Sequence, residues 1–447
     1  MAAIAGIANP EKIDIVDEIL DRISYRGNQI KIVPVQQAVF GMIYSNLQPI
    51  QADHIQHENL VCDEIADGHY ACAKSVANSL SLSRDTLGVA PLYYGRDTQG
   101  DICFASEVKG LLGIASDIHE LPPGSRLNGG KLERVSSIKP KTTLEQPSTV
   151  LAVELRRRLT DAIQSRAQGV SHFGSLLSGG LDSSAIAAIA RPYARHMDTF
   201  AAGLEGAPDL IHAREAAWHL KTRHHERVVQ FEEMLRVLPE VIYHLESFDA
   251  LLVRSSIMHF LAAQVAADYV PAVFSGEGGD ELFAGYAYLK NIPLSLLQEE
   301  LIDITNRLHN TALQRVDRCT MAHGVIPWVP LLDPQVVSFA LQIPSSYKVR
   351  DGVEKWILRQ AVKDLLPPEL AQRPKAKFWE GAGVANRLAE HAAKAISDEE
   401  FMRESVLPNG WELRAKEELF YYRIFRERFG ELDNLDWMGR TKQIPVQ

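Results

Sequence analysis

The sequence predicts an α/β chain in two parts: an α+β or layered β region over residues 1–140, then a doubly wound α/β region over 151–435 with a helical far end. Three observations predict it. Short β-type runs broken by turns fill the first part. A stretch rich in Ser, Thr, Pro and Lys, with no apolar period, separates the two. Beyond it, long amphipathic helices alternate with short apolar strands in the repeated order strand, loop, helix.

In the first part, LSLSRDTLG and PLYYGRDTQGDICFAS read as strands, and Leu121-Pro122-Pro123-Gly124-Ser125 reads as a turn. One helical stretch is expected around Ile13 to Ile23. Residues 136–150, SSIKPKTTLEQPSTV, read as a connector. From Leu151 the order is a helix (VELRRRLTDAIQSRA), a strand and turn (FGSLLSGG), a helix (SSAIAAIARPYA), a strand (DTFAAGL), a helix near His212 to Leu220, then a strand and loop (PAVFSGEGGDE). Past Tyr288 the pattern is mostly helical through Arg428, without repeats, and Thr441 to Gln447 read as a loose tail.

At 447 residues the chain is too long for one ordinary core. With 46% hydrophobic and 23% charged residues it is neither disordered, collagenous nor a coiled coil. Forty-seven Lys and Arg against 57 Asp and Glu give a net charge of −10. That charge repels phosphate backbones and anionic lipid, so neither nucleic acid nor a membrane is an expected partner, although a local basic pocket for a small anion stays open. Four cysteines, with no C-x-x-C spacing, fit a reducing compartment better than a disulfide scaffold or a metal site. No apolar run reads as the roughly 18 residues a membrane span needs, and a soluble, cytoplasmic protein is expected.

Two loops carry the chemistry. Ser178-Gly179-Gly180-Leu181-Asp182-Ser183-Ser184 lies between an apolar strand and an alanine-rich helix. There backbone N–H groups and a helix start can converge on an anion. No G-K-[ST] follows, so this is not the common P-loop, and a nucleotide whose β,γ-pyrophosphate leaves as a unit fits better than γ-phosphate transfer. A plain Gly-Gly-Ser turn is the bland alternative. Phe274-Ser275-Gly276-Glu277-Gly278-Gly279-Asp280-Glu281 repeats the placement after another apolar run. Two such loops at the carboxyl ends of strands in one sheet face one crevice. Asp182 and Asp280 are then placed to share Mg²⁺, although each alone would also serve as a helix N-cap.

These residues resemble the asparagine synthetase class of ATP-pyrophosphatases. The resemblance lies in SGGLDSS, TFAAGLEGAPDL (Thr199 to Leu210), VIYHLESFDALLVRSS (Val241 to Ser256) and SGEGGDELFAGY (Ser275 to Tyr286). It continues through VPLLD (Val329 to Asp333), GVEKWILR (Gly352 to Arg359) and QRPKAKF (Gln372 to Phe378), covering about 250 residues. It implies that a substrate carboxylate attacks the α-phosphate of ATP and that an amine then attacks the acyl-adenylate, giving an amide, AMP and pyrophosphate. It also implies ATP and pyrophosphate contacts at Leu177, Ser178, Gly179, Gly180, Leu181, Asp182, Ser183, Gly203, Ser275, Gly276 and Glu277, with Asp182 and Asp280 on the metal.

Lys375 is then the candidate cation for the departing pyrophosphate, against a solvated lysine in a basic stretch. Glu354 is the candidate acceptor for the amine's proton, against a first-turn glutamate on a helix dipole. Arg254, Gly278 and Asp280 are weaker candidates for the substrate pocket; Arg254 could equally be an ion pair. His224 and His225 point to opposite faces of a strand, and the family carries the same pair without a metal.

The first part resembles the family's Ntn-type glutaminase half with its chemistry removed. Such a glutaminase needs a cysteine at residue 2, and Ala2 stands there. Tyr25-Arg26-Gly27-Asn28 replaces an R-G-P motif, and Cys62-Asp63-Glu64 replaces the Asn-Gly-Glu of the oxyanion hole, bringing a negative charge where an oxyanion would form. A stretch with the acidic contact to glutamine's amine is missing between Ile65 and Gly68. Cys62 has no evident His partner and reads as a buried or half-buried thiol. SRDTLGVAPLYYG and FASEVKGLL are family-like and are expected to pack on the synthetase half.

Near MAHGVIPW, related β-lactam synthetases carry a tyrosine that pairs with the glutamate corresponding to Glu354. Ala322 or His323 stands there, which argues against a lactam-forming dyad, and Trp328 replaces the family's arginine before V-P-x-L-D. The expected activity is therefore an ATP- and Mg²⁺-dependent carboxylate–amine ligase, with aspartate the default acid and free ammonia or another amine as acceptor. The alternatives are an intramolecular cyclase making a lactam or lasso-type ring, and a non-catalytic nucleotide-binding regulator. RNA thiolation is disfavoured by the charge. A homodimer or a separate ammonia or peptide donor stays open.

Overall fold

The computed structural model describes residues 2–45, 47, 59–65, 68–76, 79–374, 381–384 and 386–442. The N-terminal part is two antiparallel sheets face to face. One runs Gln29–Val35, Ala38–Tyr44, Ala3–Ile7, Ile102–Ala105, Tyr93–Arg96, Ser116–Glu120 in spatial order. The other runs Lys131–Arg134, Ser125–Asn128, Ser79–Arg84, His69–Val76, Leu60–Ile65. Alternation along Ala3–Ile7 explains why this strand is buried throughout. Ile4 joins Phe40, Met42, Val61, Ala71 and Leu82 between the sheets, while Ala3, Ala5 and Ile7 face the helix Ile13–Asp21 on the other side.

The second part is built on five parallel strands in the order Arg223–Val229, Asp198–Leu204, Gly174–Leu176, Ala272–Phe274, Ile326–Trp328. Chain order runs outward from Gly174–Leu176 in one direction and then returns to its other side at Ala272–Phe274. The sheet therefore reverses between these two strands, and that switch point is where an open α/β sheet leaves a crevice at its carboxyl edge.

Four features differ from expectation. The strand Ile326–Trp328 falls inside the stretch read as helical; three residues, all buried, carry no period by which a sequence could reveal them. The connector is docked, with Leu144 N donating to Gln342 O at 2.9 Å and Lys141 Nζ to Ser338 Oγ at 2.5 Å, and the helix after it starts at Ser148. The helix Ala250–Ala267 is an apolar run long enough to cross a bilayer by length and composition alone. It is apolar all round because it is packed on the parallel sheet and between helices, as a core helix is. The first residues of the predicted loose tail are tied down: Thr441 donates to Asp249 from N at 3.0 Å and Oγ1 at 2.6 Å, and Lys442 Nζ reaches Glu300 and Asp303 at 2.8 Å.

The two parts meet over a buried ion network. Arg26, fully buried, clasps Asp317 through both terminal nitrogens (2.9 and 2.7 Å) and reaches Glu107 at 2.7 Å. Glu107 also pairs with Lys109, and Arg318 bridges Asp317 (2.7 Å) and Glu246 (3.1 Å). Family-like FASEVKGLL thus packs on the second part as expected, Lys109 N donating to Glu246 Oε1 at 2.7 Å with Lys109 Nζ 3.1 Å from the same oxygen.

Candidate active site

The two glycine-rich loops leave the strands that flank the switch point. After Gly174–Leu176, Leu177 N is held by Phe200 O at 2.8 Å, and the helix Leu181–Ala190 begins immediately beyond Gly180. Gly179 has φ +68°, and a Cβ there would lie 2.3 Å from His212 C, so only glycine fits. Ser183 Oγ accepts from Ser178 N (3.2 Å) and bonds Ser178 Oγ (3.0 Å), closing the loop into a ring immediately ahead of a helix start.

The second loop packs directly on the first. A Cβ on Gly276 would meet Ser183 N at 2.7 Å, and one on Gly279 would lie 2.4–2.7 Å from the Asp182 carboxyl group. Ser275 N donates to Trp328 O at 2.8 Å, and Gly278, at φ +97°, starts the short helix Gly279–Phe283. The result brings Asp182 and Asp280 to a single cation, the ammonium of Lys355, which pairs with Asp182 and lies 2.6 Å from Asp280 Oδ1. Lys355 was not among the residues singled out from sequence. It sits inside the quoted GVEKWILR, but nothing in that string distinguishes it from an exposed lysine.

Two hard carboxylates sharing one cation position suit Mg²⁺, which takes one or two carboxylates and completes its shell with phosphate oxygens and water. Gly279 lets the Asp182 carboxyl group pack directly on backbone, since a Cβ there would take its place. Among the described residues no group of three or more His, Cys, Asp or Glu side chains could hold a metal, so the remaining ligands would have to come from outside this carboxylate pair.

Other predicted residues fall as follows. Gly203 lies in the buried strand Asp198–Leu204, with Leu210 and Ala207 against the place of its missing Cβ. Glu277 is paired with Arg315. Lys375 lies outside the described residues. Arg373, two positions before it, donates to Ser178 O at 3.4 Å and to Asp209 Oδ1 at 2.6 Å, which anchors the start of QRPKAKF on the first loop. Glu354 is buried between Lys290 (2.6 Å) and Arg359 (2.7 Å). Burial works to raise its carboxyl pKa, but the hydrogen bond from Lys290 and the charge of Arg359 hold it below the usual range. The structure thus holds Glu354 as a carboxylate between two cations. Arg254 is in an ion pair with Glu417 (Nε to Oε1 2.7 Å), which Tyr421 also contacts, the second of the two roles open to it from sequence.

His225 bonds Asp198 (2.8 Å) while His224 bonds Thr199 (3.1 Å), on opposite sides of their strand. Trp328 packs inside the sheet against Phe274 and Phe173. Beside the second loop, Glu281 is buried and receives the Tyr286 hydroxyl; burial first, then the neighbouring Asp280 charge, pushes its pKa to about 7.

In the N-terminal part, Ala2 is fully buried and its N–H donates to Asp63 Oδ1 at 2.7 Å. Burial raises the Asp63 carboxyl to about 6, against the hydrogen bond from Ala2. The carboxylate expected where an oxyanion hole would sit is therefore held against residue 2 itself. Cys62 is not the free thiol read from sequence. It faces Cys72 on the adjacent antiparallel strand, and the two are joined in a disulfide, a pairing that sequence spacing could not reveal before the strand register was known. The deletion placed between Ile65 and Gly68 falls on residues 66 and 67, outside the described residues.

The fold and its loops thus define an α/β protein that presents glycine-lined, acidic loops at a switch point, behind an N-terminal two-sheet domain. The profile of the family described as asparagine synthase matches residues 154–298 and 294–443, and that of a glutamine amidotransferase domain matches 60–125. A probable asparagine synthetase (glutamine-hydrolyzing) of Dictyostelium discoideum is 35% identical over 397 residues, 80% of this chain and 71% of that protein. Asparagine synthetase B (glutamine-hydrolyzing) of Escherichia coli (strain K12) is 34% identical over 390 residues, 80% and 69%. The chain belongs to the asparagine synthetase family.

Proposed function

We propose that the protein is an ATP-dependent ligase that adenylates a small carboxylic acid, aspartate by default, and passes the acyl group to ammonia or another amine without hydrolysing glutamine. The observation that carries the reading is the meeting of Asp182 and Asp280 at one cation position, on two loops whose glycines leave no space for side chains. The ring of Ser178, Gly180 and Ser183 with the helix start behind it would hold the leaving pyrophosphate. Bound Mg²⁺ would supply positive charge for that leaving group. Arg373 fixes the start of the segment bearing Lys375 beside the same loop.

The N-terminal half supports the second clause. Alanine offers no nucleophile at residue 2, and the buried Asp63 carboxylate beside it would repel a developing oxyanion. The test is pyrophosphate release with ATP and Mg²⁺ over a panel of carboxylic acids with ammonium, products being identified by mass. Aspartate and ammonium giving asparagine supports the reading. Silence over the whole panel, with nucleotide binding intact by calorimetry, contradicts it and favours a dedicated peptide substrate or a regulator.

A further inference from the structure

Lys355 is built into the site with unusual care. Its side chain is only 2% exposed, and its backbone adopts φ 53°, ψ 28°, the left-handed region that a side-chain-bearing residue enters at a cost. That conformation is pinned on both sides: Lys355 N donates to Phe283 O at 3.1 Å, and Lys355 O accepts the first helical bond of Trp356–Val362 from Arg359 N at 3.0 Å. The side chain then threads past Gly285, where a Cβ would lie 2.1 Å from Lys355 Cε and 2.0 Å from Asp280 Oδ1. Three separate segments are thus shaped so that one ammonium lies between Asp182 and Asp280.

We propose that, without nucleotide, Lys355 is the cation that serves Asp182 and Asp280: it holds the two acidic loops at the spacing a divalent metal needs, excludes the metal alone, and gives up the position when nucleotide phosphates arrive. The argument is electrostatic. Two neighbouring carboxylates in a poorly solvated crevice repel each other and would spread or take up a proton if unpaired. One ammonium between them removes most of that repulsion. A divalent cation entering the same place meets a like charge a few ångströms away with little water to screen it. Phosphate oxygens change the balance, because they add negative charge beside the carboxylates and offer the displaced ammonium a new partner. Lys355 is accordingly a positioning residue that makes metal binding depend on nucleotide.

This inference rests on the reading of the site as one that binds ATP, and its test uses neither acid nor amine, so an inactive substrate panel and a failed test are distinct results. Mn²⁺ binding is followed by the paramagnetic resonance signal of the free ion, with and without inorganic pyrophosphate, against protein-free controls that account for Mn²⁺–pyrophosphate complexes. Wild-type protein is expected to bind Mn²⁺ at least roughly tenfold more tightly with pyrophosphate than without. Lys355→Met is expected to bind Mn²⁺ alone at least roughly tenfold more tightly than wild type, a gain that loss of structure could not produce. Adding Asp182→Asn should abolish that gain. Equal Mn²⁺ affinity of wild-type protein with and without pyrophosphate overturns the proposal even if the variant does not fold. So does a folded Lys355→Met protein that binds Mn²⁺ no better than wild type, or one whose gain survives Asp182→Asn.

Discussion

The carboxyl edge of the parallel sheet and the mouth of the N-terminal sandwich are both places where this family's architecture presents chemistry, and they have been kept in different ways. At the sheet edge, glycines 179, 276, 279 and 285 each sit where a Cβ would collide with backbone or with a carboxylate, and the acidic side chains they surround converge on one cation. In the sandwich, packing is equally complete, but Ala2 fills the reactive position and a buried carboxylate faces it. Packing alone can be preserved by any side chains of suitable volume. Bare backbone against a carboxylate has no such freedom, because any Cβ at those glycines would displace the acidic side chain. The contrast is between acidic side chains that converge on one cation and a carboxylate that is held against an alanine.

The largest expected effect tests whether the two regions depend on each other. Arg26→Ala leaves Asp317 and Glu107 buried with less compensation at the junction and should cost about 3–5 kcal/mol in denaturant unfolding. A smaller loss would mean that the halves are joined chiefly by apolar packing. Next, Gly279→Ala forces a methyl group within 2.4 Å of the Asp182 carboxyl. It should reduce pyrophosphate release about 100-fold or more, the scale of losing one preorganised electrostatic contact, and lower stability by the roughly 1–3 kcal/mol that overpacking costs.

A subtler effect separates the regions by pH. The Glu281 carboxyl is raised from 4.5 to about 7 in the folded protein, so between those values the folded state holds a proton that the unfolded state releases. Its contribution to stability is full below about pH 4.5 and is lost as pH rises through 7. Glu281→Gln should flatten the stability profile in that window and leave the profile above it parallel to wild type, as measured by urea unfolding at several pH values. The smallest effect is expected from Ala2→Cys: glutamine-dependent product should stay at background, because the Asp63 carboxylate still faces residue 2. Appearance of glutaminase activity would show that the missing thiol is the sandwich's only defect.

Much of this was legible in the sequence. Strand, loop and helix order marked the parallel sheet, and the two glycine-rich strings marked the switch point, because both follow apolar strands and precede helix starts. The alanine at residue 2 was equally plain to read, and the structure buries it against Asp63. What escaped was set by long-range placement. Lys355 looks like any lysine until a left-handed backbone and a glycine 70 positions earlier turn it inward. Arg254 and Glu354 have residue types suited to substrate and proton chemistry, yet Glu417 and Lys290 reach them from elsewhere in the fold. The pairing of Cys62 with Cys72 depends on strand register, and the strand Ile326–Trp328 is too short to show a period.

The central claim is that the sheet edge is chemically competent and the sandwich is not. It is tested most directly by giving the protein ATP, Mg²⁺ and aspartate with either ¹⁵N-ammonium or glutamine labelled at its amide nitrogen, and weighing the amide product. The account predicts ¹⁵N in the product from ammonium and none from glutamine. Label transferred from glutamine at a comparable rate would contradict it.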